Sequence, residues 1–129
     1  MTSRLVVNSI RHTGASTDSI TLDSSGGVKV TIASNAQSGA YVAVATDAGK
    51  AIYISTGGVT INNSVFSTGD AVTIINNSGS AQTITQGSNV NLYNTSDATT
   101  GNRTLAGRGM CTLYFVSDGD AYISGSGLT

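Results

Sequence analysis

The chain has 129 residues and a formal net charge of −1 at pH 7, and only 10% of its residues are charged, against roughly 25% in an average globular protein. It has no basic run of the kind that nucleic-acid binding needs and no apolar stretch close to the ~18 residues of a membrane span. A single cysteine, Cys111, excludes an internal disulfide. We therefore expect neither a nucleic-acid partner, nor a membrane partner, nor a disulfide scaffold.

The remaining composition favours β-structure. The chain contains 18 Ser, 18 Thr, 10 Asn and 16 Gly, whereas Glu and Pro are absent. Val and Ile together number 21, against 6 Leu. Straight-chain helix formers are thus scarce, while β-branched side chains pack well on a pleated surface. The composition predicts an all-β chain.

Two regions of the chain differ in amino-acid composition. Residues 1–38 contain no aromatic side chain, whereas residues 39–129 contain all five Tyr and both Phe. Because large side chains are what fill a core, the compact domain is predicted at 39–129, with an extended N-terminal arm over 1–38 and a linker at 34–39. The arm has too little apolar surface to bury by itself, so it needs a partner.

Alternating apolar and polar residues predict short strands along the whole chain. In the arm, an apolar run covers 4–10, and strands at 19–23 and 28–33 flank a hairpin turn at 24–27. In the domain, strands are predicted at 41–45, 51–55, 59–62, 71–76, 82–86, 90–93, 110–117 and 121–124, with a polar loop at 94–103. A turn after each short strand predicts an antiparallel β-sandwich or jelly-roll-like domain, preceded by an extended arm with a hairpin.

The residues offer little for catalysis. A nucleophile needs a base beside it, and the one histidine, His12, lies in the arm. Cys111 occupies the most hydrophobic predicted strand, where a free thiol is usually an inert part of the core. Asp118 and Asp120 flank a hairpin turn, where Asp is favoured for its own backbone hydrogen bonds. The sequence therefore predicts no catalytic residue, no metal site and no cofactor.

A polysaccharide hydrolase is the enzymatic alternative. Such an enzyme needs two carboxylates flanking the scissile bond. The candidate carboxylates of the domain, all in predicted turns or loops, are Asp47, Asp70, Asp97, Asp118 and Asp120. This alternative is disfavoured because the sequence lacks the rest of the machinery that catalysis needs.

A polypeptide with so few charges is predicted to be part of a larger protein assembly. Exposed strands that carry Ser, Thr and Asn associate readily, and a symmetric homo-oligomer covers their edges. The candidate docking residues are Arg4, Leu5, Val6, Val7, Ile10, Arg11 and His12. The apolar ones would be exposed in a monomer, and the basic ones could bind acidic or carbonyl groups of a neighbour. The alternative is an arm that folds back onto its own domain.

Several segments resemble structural proteins of tailed bacteriophages, marine cyanophages especially. They are 7–26 (VNSIRHTGASTDSITLDSSG), 69–74 (GDAVTI), 82–87 (QTITQG), 100–106 (TGNRTLA) followed by Gly109, and 123–128 (ISGSGL). The resemblance implies a homotrimeric, non-enzymatic virion protein that is made in the host cytoplasm. Its partner would be the major capsid protein or another virion protein.

The resemblance leaves two placements on the particle. One is a capsid decoration (cement) protein that docks through its N-terminal arm, and the other is a short tail fibre or fibre tip that binds a host surface receptor. An arm of 35 residues spans at most roughly 115 Å at about 3.3 Å per residue. That length can connect neighbouring capsid subunits but makes a poor shaft, so we expect a decoration protein.

Overall fold

The computed structural model describes residues 9–11, 13–14 and 20–129. The chain divides into two compact units, Met1–Ile32 and Ala33–Thr129. The predicted division lies six residues later, because the sequence predicts a linker at 34–39. Residues Ser34–Gln37 instead form a strand of the larger unit.

The described part of the N-terminal unit is a small antiparallel sheet. Its strands are β1 (Ser9–Ile10), β2 (Ile20–Leu22) and β3 (Val28–Lys29). The turn between β2 and β3 is closed by Asp23, whose Oδ1 accepts the N–H groups of Ser25 and Gly27 at 2.9 and 2.7 Å. Gly26 within this turn has a φ of 83°, which a residue without a Cβ adopts freely. The predicted hairpin is therefore present.

The larger unit consists of nine strands and one short 3-10 turn among its described residues. They are β4 (Ser34–Gln37), β5 (Tyr41–Val42), the 3-10 turn (Ala45–Asp47), β6 (Ala51–Ile54), β7 (Val59–Ile61), β8 (Ala71–Asn76), β9 (Gln82–Gln86), β10 (Asn91–Asn94), β11 (Arg103–Phe115) and β12 (Asp120–Leu128). The all-β class is confirmed. The sequence does not predict β4, since Ser34, Asn35 and Gln37 are polar residues common in loops.

Three successive passes of the chain stack as parallel strands. β4, β6 and β8 form one parallel ladder, and β5, β7 and β9 form a second. The predicted antiparallel sandwich or jelly roll is not confirmed, because each short turn leads from one ladder to the other and not back along the same one. Gly-rich turn residues permit both kinds of connection, so the turns alone do not reveal which strands pair.

The long strand β11 joins the two ladders. Its first residues, 103–105, pair antiparallel with β9, and residues 110–114 pair antiparallel with β8. The register shifts between Leu105 and Met110, where Arg108 has a φ of 62°. Such a bulge bends a strand and changes its direction. The result is one mixed sheet in which the edge strands β4 and β5 are consecutive in the chain. β12 also pairs antiparallel with β11, and β10 pairs parallel with β12 as a further edge strand.

The inward-facing side chains of these strands form one apolar core. Its largest buried members are Phe66, Phe115, Ile52, Ile54, Ile61, Ile74, Ile84, Leu92, Leu105, Leu113, Ile123 and Val59. The rings of Phe66 and Phe115 pack with centroids 4.6 Å apart. Because both ladders and β11 contribute to this core, the strands stabilise one another through it.

A buried carboxylate links strands β4 and β5. Asp47 accepts a hydrogen bond on Oδ1 from Asn35 Nδ2 at 2.7 Å, and on Oδ2 from the Tyr41 hydroxyl at 2.8 Å and the Val44 N–H at 2.9 Å. Burial and, to a smaller extent, the hydrogen bond to Asp47 raise the pKa of Tyr41. The Tyr41 hydroxyl therefore keeps the proton that it donates. These bonds replace the water that a carboxylate loses on burial.

The buried thiol of Cys111 makes the stability of this core depend on pH. Burial raises the pKa of Cys111 to about 12, from an ordinary value of 9.0. The folded protein thus retains a proton that the unfolded chain releases above pH 9. We expect the free energy of unfolding to fall between pH 9 and about 12, by up to about 1.4 kcal/mol per pH unit.

Denaturant unfolding of the native chain and of Cys111→Ala at a series of pH values measures this dependence. The variant should lose the slope between pH 9 and 10, while the titration of Tyr41 still contributes at higher pH because its pKa is also raised. An equal slope in both proteins between pH 9 and 10 would show that the thiol does not titrate as described.

Candidate functional site

Outward-facing residues of five neighbouring strands form a continuous surface, which we call the outer face. Its members are uncharged, and Asp120 borders it on the same side of β12 as Tyr122 and Ser124. Alternation along a strand places every second residue on the same side of the sheet. The register then aligns these residues across strands, with Tyr53 beside Ile75 and Ile75 beside Met110. The outer face consists of Tyr53, Ala71, Thr73, Ile75, Tyr93, Met110, Thr112, Tyr114, Tyr122 and Ser124.

The outer face exposes large side chains. Met110, Tyr114 and Tyr122 are 53%, 51% and 48% exposed. The ten residues of the outer face, spaced about 4.8 Å across the strands and about 7 Å along them, give an area of roughly 340 Å². Uncharged patches of this size with exposed apolar groups are typical of interaction surfaces on soluble proteins. The outer face is therefore the main candidate contact surface of the larger unit.

The outer face corrects the prediction that aromatic side chains fill the core. Phe66 and Phe115 are buried, but four of the five tyrosines belong to the outer face. The signal was present in β11, where Tyr114 alternates with the buried residues Leu113 and Phe115. A tyrosine presents an apolar ring and a polar hydroxyl, which suits a surface that is partly exposed to solvent.

One end of the outer face opens into a pocket of about 420 Å³, which we call the tyrosine pocket. It is lined by Tyr93, Asn94, Thr95, Ala98 and Tyr122. The parallel register of β10 and β12 places Tyr93 beside Tyr122. Their rings stack with centroids 5.5 Å apart and planes inclined by 28°. The pocket thus combines aromatic ring surface with polar groups, as ligand sites commonly do.

The wall of the tyrosine pocket is a tightly closed loop at 94–99. The Asn94 N–H donates to the Thr99 carbonyl at 2.9 Å, and the Ala98 N–H donates to the Asn94 carbonyl at 2.8 Å. Asp97 Oδ1 accepts the N–H and the hydroxyl of Thr99 at 2.9 and 2.7 Å. These two bonds lower the pKa of Asp97, so its carboxylate stays charged and holds the loop closed at neutral pH.

Arg103 supports this loop from the buried side. Its guanidinium donates to the carbonyls of Leu92 and Thr99 and to the Thr99 hydroxyl. Its Nε has no hydrogen-bond partner within the described residues. Gln86 adds a second support, because its Oε1 accepts the N–H groups of Leu92 and Gly101, both at 2.8 Å. The sequence predicts a polar loop at 94–103 and gives no sign of this role for Arg103.

Two of the predicted docking residues lie in the described part of the chain. Ile10 pairs with Ile20 in the small sheet, and both Ile10 and Arg11 are exposed. The others, Arg4, Leu5, Val6, Val7 and His12, lie outside the described residues.

The N-terminal unit also exposes three apolar side chains that the sequence analysis does not single out. Val28, Val30 and Ile32 are 63%, 71% and 65% exposed. They recur at every second position of the predicted strand 28–33, and this alternation is the signal that could have drawn attention to them. The structure forms a strand only at Val28–Lys29 of that range.

The paired carboxylates considered for acid–base chemistry serve the turn that contains them. Asp120 Oδ1 accepts the Asn91 side-chain amide at 2.8 Å, and its Oδ2 accepts the Ser117 hydroxyl at 3.0 Å. Asp118 is exposed in the same turn. In the ranges 9–11, 13–14 and 20–129, no three His, Cys, Asp or Glu residues are grouped as metal ligands would be.

Comparison of the chain with protein-family models, with curated proteins and with solved structures gave no match in any of the three. No helix in the described part of the chain has the length and hydropathy needed to cross a membrane. The outer face, the tyrosine pocket and the apolar side chains of the N-terminal unit are thus the features from which function is inferred.

We expect Arg103→Met to loosen the loop at 94–99. Methionine fills part of the same volume but cannot donate to the carbonyls of Leu92 and Thr99. The Thr99 carbonyl keeps the Asn94 N–H, and a hydrogen bond from a charged donor contributes about 1.5–3 kcal/mol. Amide hydrogen exchange at Asn94 and Ala98 should accelerate at least about tenfold, the change that about 1.4 kcal/mol of lost protection produces.

Arg108→Met is the matched control for this measurement. Arg108 is the other arginine of β11, and its side chain is exposed. Exchange in the loop at 94–99 should stay at the native rate in this variant. Equal exchange rates in the two variants would mean that Arg103 does not support the loop.

Proposed function

We propose that the protein is a non-enzymatic structural protein of a phage virion, a decoration protein that forms homotrimers and docks on the capsid surface through its N-terminal region. The observation on which this proposal rests is the exposure of uncharged, largely apolar surface in both units. The resemblance of segments 7–26, 69–74, 82–87, 100–106 and 123–128 to phage structural proteins supports the virion setting.

The N-terminal unit supports the docking role. Its described strands are two or three residues long, and sheets so small bury too little apolar surface to be stable alone. Val28, Val30 and Ile32 remain exposed. A surface of another protein that covers these side chains gains the burial that the unit lacks, at about 25 cal/mol per Å². The major capsid protein, or another virion protein, is the proposed partner.

The larger unit supports self-association. The members of the outer face are uncharged and Asp120 borders them at one end, so contact with this face carries little like-charge penalty. A closed ring needs two different surfaces on each copy. The outer face provides one, and the exposed side chains of Val42, in β5, and Val44, two residues after β5 ends, provide the other. About 340 Å² from each partner gives a total of roughly 700 Å², in the range of weak or transient interfaces.

The chemistry of the described residues supports a non-enzymatic role. Cys111 is a buried thiol with a raised pKa, and a thiolate is what a nucleophile requires. Asp47 and Asp120 are engaged in structural hydrogen bonds. These groups therefore stabilise the fold in the arrangement observed.

A short tail fibre or fibre tip that binds a host receptor is the second candidate function. The tyrosine pocket favours it, because its ordered wall at 94–99 lies within the predicted polar loop 94–103, and loops held on a rigid scaffold commonly carry binding sites. On a fibre tip this loop would face the host surface. The two placements differ in where the protein sits on the particle.

We expect the full-length triple variant Val28→Ser, Val30→Ser, Ile32→Ser to lose attachment to the capsid. Removing three exposed apolar side chains leaves the core of the larger unit intact but weakens docking by at least about a hundredfold, which corresponds to about 2.8 kcal/mol. Co-sedimentation with virions that lack the native protein measures attachment.

Val116→Ser, which removes an exposed valine of the larger unit, serves as a control and should attach normally. Normal attachment of the triple variant would contradict docking through this region. Gold-labelled copies seen by electron microscopy on the tail, and not on the capsid, would establish the fibre alternative.

A further inference from the structure

We propose that the tyrosine pocket is a binding site for a neutral sugar, presented as one residue of a glycan. This inference rests on the geometry of the pocket, and it holds whether the protein lies on a capsid or on a tail. It assigns a ligand class to a site that shares Tyr93 and Tyr122 with the outer face and is separate from the proposed docking region.

The aromatic part of the pocket matches one face of a sugar ring. Tyr93 and Tyr122 stack on each other at the end of the outer face, and Tyr122 is about half exposed. A pyranose ring carries C–H groups on its faces and hydroxyl groups around its rim. Its C–H face therefore packs on an exposed aromatic surface, while its rim needs hydrogen-bond partners at the border.

The border of the pocket provides such partners. Asn94 and Thr95 line it next to the two rings. Within the described residues, no protein group bonds to the hydroxyls of Thr95, Tyr93 or Tyr122. Each of these hydroxyls both donates and accepts, and the hydroxyl groups of a sugar do the same. The pocket thus offers unsatisfied, uncharged polar groups around an apolar floor.

The charges near the pocket select a neutral ligand. Asp97 belongs to the wall, and Asp120 lies two residues before Tyr122 on the same strand. The nearest cation of the wall, Arg103, is buried and donates to the carbonyls of Leu92 and Thr99. Carboxylates close to the site repel an acidic sugar, and no residue lining the pocket is a cation that could attract it.

The pocket is already ordered before a ligand arrives. Its wall is closed by the Asn94–Thr99 backbone bond and by the bonds from Thr99 to Asp97. Little conformational entropy is therefore lost on binding. A shallow site for one sugar binds with a Kd on the order of 1 mM, and several copies on one particle raise the avidity for a repeating glycan.

Titration of the isotope-labelled full-length protein, followed by NMR, tests this proposal. The probes are neutral oligosaccharides of glucose, galactose, mannose and N-acetylglucosamine, with oligogalacturonate as the acidic comparison. We expect saturable shifts at Tyr93, Thr95 and Tyr122 with at least one neutral probe and none with oligogalacturonate. The absence of shifts with every neutral probe, or stronger binding of the acidic probe, would overturn the proposal.

Tyrosine variants locate the site. Tyr93→Ala and Tyr122→Ala should each weaken binding of the neutral probe at least about tenfold. Tyr53→Ala is the matched control, since Tyr53 lies on the same outer face away from the pocket. Tyr122→Phe keeps the ring and should bind better than Tyr122→Ala. Equal affinities of all four variants would overturn the assignment.

The sugar-site proposal and the docking proposal can be contradicted independently of each other. Tyr122→Ala leaves the N-terminal unit unchanged, so it should still co-sediment with virions while it loses the neutral sugar. The variant of Val28, Val30 and Ile32 should keep the sugar affinity while it loses attachment. A Tyr122→Ala protein that retains full affinity for the sugar would contradict the site even if docking is intact.

Discussion

The architecture of the larger unit depends on one strand that pairs with two ladders. β11 begins against β9, changes register after Leu105 and continues against β8. Without that strand, the ladder of β4, β6 and β8 and the ladder of β5, β7 and β9 would not belong to one sheet. The bulge between Leu105 and Met110 makes the crossing possible, because an extra residue redirects a strand without ending it.

The same strand separates the core from the contact surface. Along its second half, the inward side chains Cys111, Leu113 and Phe115 complete the core, and the outward side chains Met110 and Tyr114 belong to the outer face. The position of each residue in the strand therefore decides whether its side chain packs in the core or lies on the outer face. In a chain with 10% charged residues, the outward half is left apolar or neutral, and such a surface is satisfied best by another protein surface or by an uncharged ligand.

Much of the fold could be predicted from the sequence, but the pairing could not. The strands at 71–76 and 82–86 have the observed bounds, because apolar residues alternate there between turns rich in Gly, Ser and Asn. Which strands pair depends on tertiary packing, since the same turn residues serve a hairpin and a passage between ladders. The beginning of β11 is hidden for a related reason, because Gly107 and Gly109 resemble a turn although they lie in a bulge.

The contact surfaces could be predicted only in part. The exposure of Ile10 follows from a region too small to bury its own apolar side chains. The outward position of Tyr114 follows from alternation alone, once the strand is recognised. Tyr93 meets Tyr122 because β10 pairs in parallel with β12. Arg103 supports the loop at 94–99 because of the path that β11 takes. No local pattern encodes that pairing.

The proposed self-association is tested by sedimentation equilibrium of the purified full-length protein at micromolar concentrations and physiological salt. The proposed homotrimer predicts a single species with three times the 13.0 kDa mass of one chain, in which Met110 and Tyr114, about half exposed in one chain, are covered. A stable species of 13.0 kDa at every concentration, with Met110 and Tyr114 accessible to solvent, would contradict it.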